Sequence, residues 1–551
     1  MTRVLESLYY VHLNDQMDNT ILTNAVALVI ACSLLARLGY SHLMPKPISG
    51  IPHNPITSIW GDIPAIIKAN KEENKHYAEW VDGMVQRHGQ ISQVLLGRQI
   101  MVVISDIREA ERILVESKVT EQSKRVRQAF VAVSPHAQIA LPTDEAWRKQ
   151  RRLAGPSMSR RYLERMSGRI SAGANGLVKL WQAKTDVVGS CAFDAGPDIQ
   201  LSTMDTMGDI TTGSVFGCIE SARATLPTGT TQSTPSAQFP QPNPPLLYKA
   251  TSAMMESVEA AIKAPFPSLH ARLVKYTSPL WRKQFGILSS FLNQAIVESR
   301  GRETLIKNKD VGLATDADCV LDMIIQREAQ EGAETFGEGA IHDELMSFIF
   351  AGQDTTSSML RWLIKYLPTD ADIQRRLHDE VCSAFGQGSD PHELLDFNIL
   401  DSSERLPLLE AVVMETMRCA GVGPQISREL TQDENILGRL VPKGTEVVFA
   451  TALMSRDKTL WGEDADEWRP TRWLTHDGKF NRSAGPSFPF GLGQRACFGQ
   501  RLATFEVKAY TAALSRDFFF KPVSQEADNW EAKLECLAKQ PKLSYVSLER
   551  W

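Results

Sequence analysis

Cys497 stands in the run Phe490-Gly491-Leu492-Gly493-Gln494-Arg495-Ala496-Cys497-Phe498-Gly499. Glycines at 491 and 493 permit tight turns with positive φ, and Gln500 to Val507 reads as the start of a helix. The cysteine therefore lies where a helix begins. Free backbone N–H groups there lower a thiol's pKa and favour the thiolate, the form that binds metal. Arg495 adds a cation nearby. The chemistry on offer is one anionic sulfur presented by a loop; a buried cysteine in a glycine-rich turn is the plain structural alternative.

A second run, Ala351-Gly352-Gln353-Asp354-Thr355-Thr356, falls inside an apolar helix expected from about His342 to Leu367. Glycine inside a helix costs about 1 kcal/mol against alanine, and Asp, Thr and Ser are poor interior helix residues. Hydroxyls can bond back to carbonyls and open the helix locally. A polar notch of this kind in a greasy helix marks function. Further along, Glu415 and Arg418 sit at i and i+3 on a helix and can pair, and Trp147 and Arg151 share a helical face at i and i+4.

The cysteine run resembles the haem-binding loop of the cytochrome P450 family, Phe-x-x-Gly-x-Arg-x-Cys-x-Gly, at every fixed position. The resemblance implies that Cys497 is the axial iron ligand, a thiolate that pushes electron density onto the iron. It further implies that Phe490 shields the sulfur, that Gly499 is a cofactor-binding residue of the same loop and that Arg495 pairs a haem propionate. The run at 351 is similar to the family's oxygen-activating helix. By that likeness Asp354 and Thr355 supply protons, with Ala351 and Gly352 making room beside the haem. Glu415 and Arg418 match the family's Glu-x-x-Arg pair. Arg472 is the expected third member, from Trp468-Arg469-Pro470-Thr471-Arg472-Trp473, where Trp468 replaces the usual Phe. Trp147 and Arg151 resemble the family's Trp-x-x-x-Arg, and Arg428 matches another haem-contacting arginine. Substrate-pocket positions implied in the same way are Phe130, Val131, Phe348, Ala351, Val422 and Ile426. They are largely apolar, so a lipophilic substrate is expected.

The motifs keep the family's order, at 147, 351, 415, 468 and 497. The implied fold is mainly α with a small β region, enclosing haem b. The implied activity is monooxygenation: one atom of O2 enters the substrate. Electrons come from NADPH through a separate cytochrome P450 reductase, with cytochrome b5 as a further candidate donor, because the chain has no Gly-x-Gly-x-x-Gly fingerprint. Arg148, Lys149, Arg151 and Arg152 form the basic patch on which such an acidic partner would dock. A P450-fold isomerase, dehydratase or coupling enzyme stays open as an alternative, as does a non-catalytic haem protein.

These motifs need elements to position them. Residues 92 to 105 read as two short strands around Gly97-Arg98, residues 106 to about 420 as mainly helix, and 425 to 450 as a second strand-rich stretch turning at Pro442-Lys443-Gly444. Residues 225–246, rich in Pro, Ser, Thr and Gln, read as a disordered or loosely extended surface loop. Asn19 to Ala36 holds no charged residue, and such a helix spans roughly 27 Å, against about 30 Å of bilayer hydrocarbon. Asp15 and Asp18 precede it and Arg37, His42 and Lys46 follow, which places the body on the cytoplasmic side. An acidic leader and a late apolar run argue against a cleaved signal peptide.

The division expected is a lumenal segment 1–18, a transmembrane anchor 19–38, a proline-rich hinge 39–58 and a catalytic domain 59–551. The anchor and hinge match the family's microsomal members, which implies the endoplasmic reticulum membrane. The long Pro/Ser/Thr loop is compatible with a fungal biosynthetic enzyme of secondary metabolism. A net charge of −5 gives no whole-protein nucleic-acid footprint. The 8 cysteines contain no Cys-x-x-Cys pair and no zinc-finger spacing.

Overall fold

The computed structural model describes residues 24, 26–35, 37–227, 236–307, 319–331, 337–386, 395–524, 528–535 and 538–551. Six helices carry the site: α1 (Glu145–Ala154), α2 (Arg160–Val188), α3 (Gly196–Thr212), α4 (Glu338–Tyr366), α5 (Pro407–Ala420) and α6 (Gln500–Asp517). Ile341, Leu345 and Ile349 recur every fourth residue on α4 and are fully buried, the pattern of a helix with one face in the core. α4 runs through the centre of the body, packed on α3, α5 and α6. The Asp144 carboxylate opens α1 by accepting from the Trp147 N–H at 3.0 Å. Pro407 starts α5, and Gly421 ends it in the left-handed conformation at φ 53°.

The small β region lies to one side. Strands β1 (Ile91–Leu96) and β2 (Gln99–Ile104) form the expected hairpin, turning at Gly97 with φ 61°. With β3 (Thr120–Gln122), β4 (Ile426–Leu430) and β5 (Glu446–Phe449) they make a five-stranded sheet in the order β1-β2-β5-β4-β3. The β2–β5 pair is parallel and the others are antiparallel. The β3–β4 register sets Gln122 opposite Arg428.

A buried ionic knot ties α5 to the segment that follows the sheet. Arg418 donates to Glu415 at 2.7 Å with both side chains fully buried, and Arg472 donates to the same carboxylate at 2.8 Å. The Arg469 N–H and the Trp473 indole complete its shell, at 2.8 and 2.9 Å. Burial pushes the Glu415 carboxyl up, but the Arg418 guanidinium and these N–H donors outweigh it and hold it below the usual range. The spare Arg418 N–H groups end on the carbonyls of Ser455, Ala465 and Glu467.

Two expectations change at the edges. The helix Val26–Leu43 is long and apolar enough to cross a membrane, and none of it is buried against the body. It runs past Arg37 to Leu43, arginine being a good helix former; residues 1–23 lie outside the described set. The connector is held from Ile48 onward, where the buried Gln93 amide bonds to the backbone of Ile48 and Ile51. In the Pro/Ser/Thr segment, residues 228–235 lie outside the described set, but Ser236–Ala237 pair with Ala192–Asp194, and Phe239 meets Phe193 edge-on at 5.8 Å. A single aromatic anchors that end, which no periodicity reveals.

Removing the shared anion of the knot strands two buried guanidinium groups, and breaking a buried pair in this way costs about 3–5 kcal/mol. Glu415→Ala is therefore expected to lower unfolding stability by about that amount, read by denaturant titration.

Candidate functional site

The loop before α6 turns at Gly491 and Gly493, with φ 69° and 73°, and closes when the Cys497 N–H donates to the Phe490 carbonyl at 2.8 Å. At Gly493 a Cβ would stand 1.9 Å from the Leu114 carbonyl oxygen. Sterics and dihedral both demand glycine there. Closed this way, the loop turns Cys497 into an interior cavity with about 970 Å³ free of protein atoms, its mouth included. α4 supplies another wall: Ala351 and Thr355, one turn apart on a largely buried helix, are both exposed to this space.

Of the residues singled out in the sequence, Trp147, Arg151, Phe348, Ala351, Gly352, Thr355, Arg495, Cys497 and Gly499 meet around the cavity. Others do not. Asp354 is 9% exposed and faces away from it, being 100° round the helix from Thr355. Phe130 is in the main core, Val131 and Val422 pack against that core, and Ile426 packs against a second cluster beside Gly491. Phe490 contributes its carbonyl to the loop while its ring packs on the core. Gly352 makes room for a neighbouring side chain: a Cβ there would stand 2.4 Å from Cε of Met207 on α3. The polar notch does not open the helix. The Thr355 hydroxyl bonds back to the Ala351 carbonyl at 2.7 Å, yet α4 is helical without interruption.

The model of the cytochrome P450 family matches residues 57–548. The chain belongs to the cytochrome P450 family. It is 27% identical to the cytochrome P450 monooxygenase TRI13 of Fusarium sporotrichioides, over 95% of this chain and 98% of that one. To the cytochrome P450 monooxygenase xilC of Penicillium crustosum it is 25% identical over 98% of both chains. A plant relative, the 11-oxo-beta-amyrin 30-oxidase of Medicago truncatula, is 25% identical over 68% of this chain and 65% of its own. A cytochrome P450 uses haem, O2 and an electron-donating partner.

The residues present fit that group. Cys497 is the one cysteine among the described residues on the cavity wall, and Arg151 and Arg495 stand on the same wall with Arg428 behind them. Burial pushes the Arg428 and Arg495 guanidinium groups down to about 10, Arg428 further so by the charge of Arg495. Their nearest counter-charge is Glu121, 3.2 Å from Arg495. This excess of cation suits a ligand bearing two carboxylates. Arg151 lies over the rings of Trp147 and Phe498, at 5.8 and 4.8 Å, and donates to the Ala496 carbonyl. Its neighbours Arg148, Lys149 and Arg152 are exposed.

Burial raises the Cys497 thiol above its ordinary value; the Gly499 N–H and Arg151 pull it back only in part. Placement at a helix start therefore does not ionise this sulfur by itself.

Sequence reading missed two acids on the cavity wall, Glu344 on α4 and Glu506 on α6. Helical spacing could have found both. Glu344 shares a face with Phe348 and Ala351 at i, i+4 and i+7, and Glu506 shares one with Leu502 at i+4. Glu344 accepts from the backbone and side-chain N–H groups of Gln138. The Thr356 hydroxyl donates to Glu506 at 3.2 Å, and the other Glu506 carboxylate oxygen is buried without a partner among the described residues. Burial pushes Glu506 from 4.5 up to about 8. The folded protein then keeps a proton that the unfolded chain loses, so stability falls as pH rises from 4.5 toward 8. Glu506→Gln removes that loss. Its melting temperature relative to wild type is expected to climb from pH 5 to pH 8, read by thermal melts across that range.

Proposed function

We propose that Cys497 is the axial thiolate ligand of haem b and that the protein is a monooxygenase, which inserts one atom of O2 into a lipophilic small molecule by hydroxylation or epoxidation. The observation that carries the reading is a single cysteine turned into an interior cavity whose wall also holds surplus arginines and an exposed threonine. Haem supplies the oxygen activation; the chain supplies the rest. Arg151 and Arg495 bind carboxylates of the group, and Phe498, beneath Arg151 and edge-on to Phe348 at 5.6 Å, excludes water near the sulfur. The Thr355 hydroxyl holds a proton at the cavity wall, with Asp354 as an acid on the buried side of the same turn. Phe348, Met207 and Met158 give that wall an apolar character suited to a lipophile.

Electrons come from NADPH through a separate reductase docking on exposed Arg148, Lys149 and Arg152. The apolar helix Val26–Leu43 anchors the protein in the endoplasmic reticulum membrane with its body in the cytoplasm. Phe266, Leu269, Leu273 and Tyr276, exposed along one side of the helix Pro267–Thr277, support contact of the body with lipid. Fungal relatives named as monooxygenases support a role in secondary metabolism.

Under carbon monoxide the reduced wild-type protein is expected to show the red-shifted Soret band of thiolate-bound haem, and Cys497→Ser to lose it. With a reductase and an accepted substrate, Thr355→Ala is expected to cut product formed per NADPH consumed by about tenfold or more, since positioned proton transfer contributes roughly 10²–10⁴-fold. A folded, haem-loaded wild type without the band overturns the reading. Turnover without NADPH points instead to an isomerase or dehydratase.

A further inference from the structure

Residues 133–144 form neither helix nor strand. Solvent and cavity are two residues apart along this strap: the His136 side chain is 63% exposed, while Gln138 and Ile139 line the cavity. Without a ladder, the strap's N–H groups need other acceptors. Two successive acids of α4 supply them. Asp343 accepts from the His136 backbone N–H at 2.9 Å and from Nδ1 of the same residue at 2.8 Å. Glu344 accepts in the same manner from the backbone and side-chain N–H groups of Gln138. Elsewhere the strap is held by its carbonyls. The Gln150 amide donates to His136, and Arg495 donates to Gln138 and Leu141.

Asp343 also reaches beyond the strap. Its other oxygen, Oδ1, accepts from Nδ1 of His342 at 3.0 Å, and Nε2 of His342 meets the Ser289 hydroxyl at 3.1 Å. A carboxylate only accepts, so both Nδ1 atoms carry a proton, and in the neutral His342 ring Nε2 accepts from Ser289. Ser289 stands on the helix Pro279–Lys307, where the His342 ring also meets Phe285 edge-on at 6.3 Å. Asp343 is 5% exposed and His342 8%. One buried carboxylate thus joins the strap, α4 and that helix.

We propose that the strap is a gate of the cavity and that Asp343 is the positioning residue that keeps it shut, with His342 tying the gate to the helix Pro279–Lys307. Turning the Asp343 side chain breaks both histidine bonds at once, so strap and helix are released together. The solvent end of the strap then lifts, while Arg495 keeps hold of the far end. The inference rests on the haem reading above only through its reporter, the bound iron.

Two measurements on the full-length protein test it. Hydrogen exchange reads the fastening, with or without haem. Asp343→Asn is expected to speed exchange at residues 136–138 by about tenfold or more, the worth of a hydrogen bond to a charged group. His342→Phe leaves the strap's own bonds in place, yet is expected to speed the same exchange about threefold, because the carboxylate is then free to turn. Stopped-flow mixing with imidazole, which shifts the haem spectrum on reaching the iron, reads the gate. Asp343→Asn is expected to raise the association and dissociation rate constants together by about tenfold, and the milder His136→Ala by about threefold. The Kd is expected to change less than about twofold, since a gate alters the path and not the end states.

Unchanged exchange in Asp343→Asn overturns the fastening, and unchanged exchange in His342→Phe overturns the tie to the helix. Unchanged association of imidazole in both gate variants overturns the gate. A shifted Kd without faster association shows a merely structural role and also overturns it. Failure of the haem reading looks different: wild type then lacks thiolate-bound haem, while exchange still reports on the strap.

Discussion

At Gly493 the chain passes so close to the Leu114 carbonyl that no side chain fits between them. Everything about the site depends on that approach. It presses the loop onto the segment before β3, aligns Arg495 with the Thr143 hydroxyl and the Gln138 and Leu141 carbonyls, and leaves Cys497 directed inward. The Cys497 N–H to Phe490 carbonyl bond then closes the loop from the other side. A sulfur on a freer loop would find an apolar pocket and become one more buried cysteine.

Electrostatics around the cavity run in two opposed senses. On one side, arginines are crowded together and partly stripped of water, so their proton affinity falls and an anionic ligand is favoured. Against these, burial raises Glu344, close to Arg151 on the same wall, to about 7 and Glu506, on α6, to about 8, so both hold protons near neutral pH. A cavity wall that carries crowded cations and protonated acids favours a group that brings its own negative charge. The Glu415 knot lies outside this field. There the carboxylate is surrounded by donors and stays ionised, which holds the framework rather than the chemistry.

Much of this was legible in the chain. The order and spacing of five motifs pointed to the fold, and spacing on helices placed Trp147 with Arg151 and Glu415 with Arg418. What was missed shares a cause. Gly352, read as space beside the haem, lines the cavity, but the side chain its missing Cβ accommodates there is Met207, a residue 145 positions away. Arg428 was read as a direct ligand, and the β3–β4 register also sets it against Gln122, a contact its motif does not state. Of the six pocket residues expected, Phe348 and Ala351 are on the cavity wall; they share a face of one long helix, while the others lie in a single 3-10 turn, a loop and a strand end with no period to project.

Local chemistry could be settled residue by residue along the chain: a cysteine needs glycines to turn inward, a helix shows its period, an Asp caps the helix it precedes. These depend on neighbours a few positions off, and the letters carry them. Which donor is spent and which is free depends on groups far apart in sequence. Arg495 meets Glu121, and Gln122 meets Arg428, across more than 300 residues. Hydrogen bonds are short and saturable, so whether a guanidinium has one N–H left or five is a property of the folded packing, and no run of residues states it.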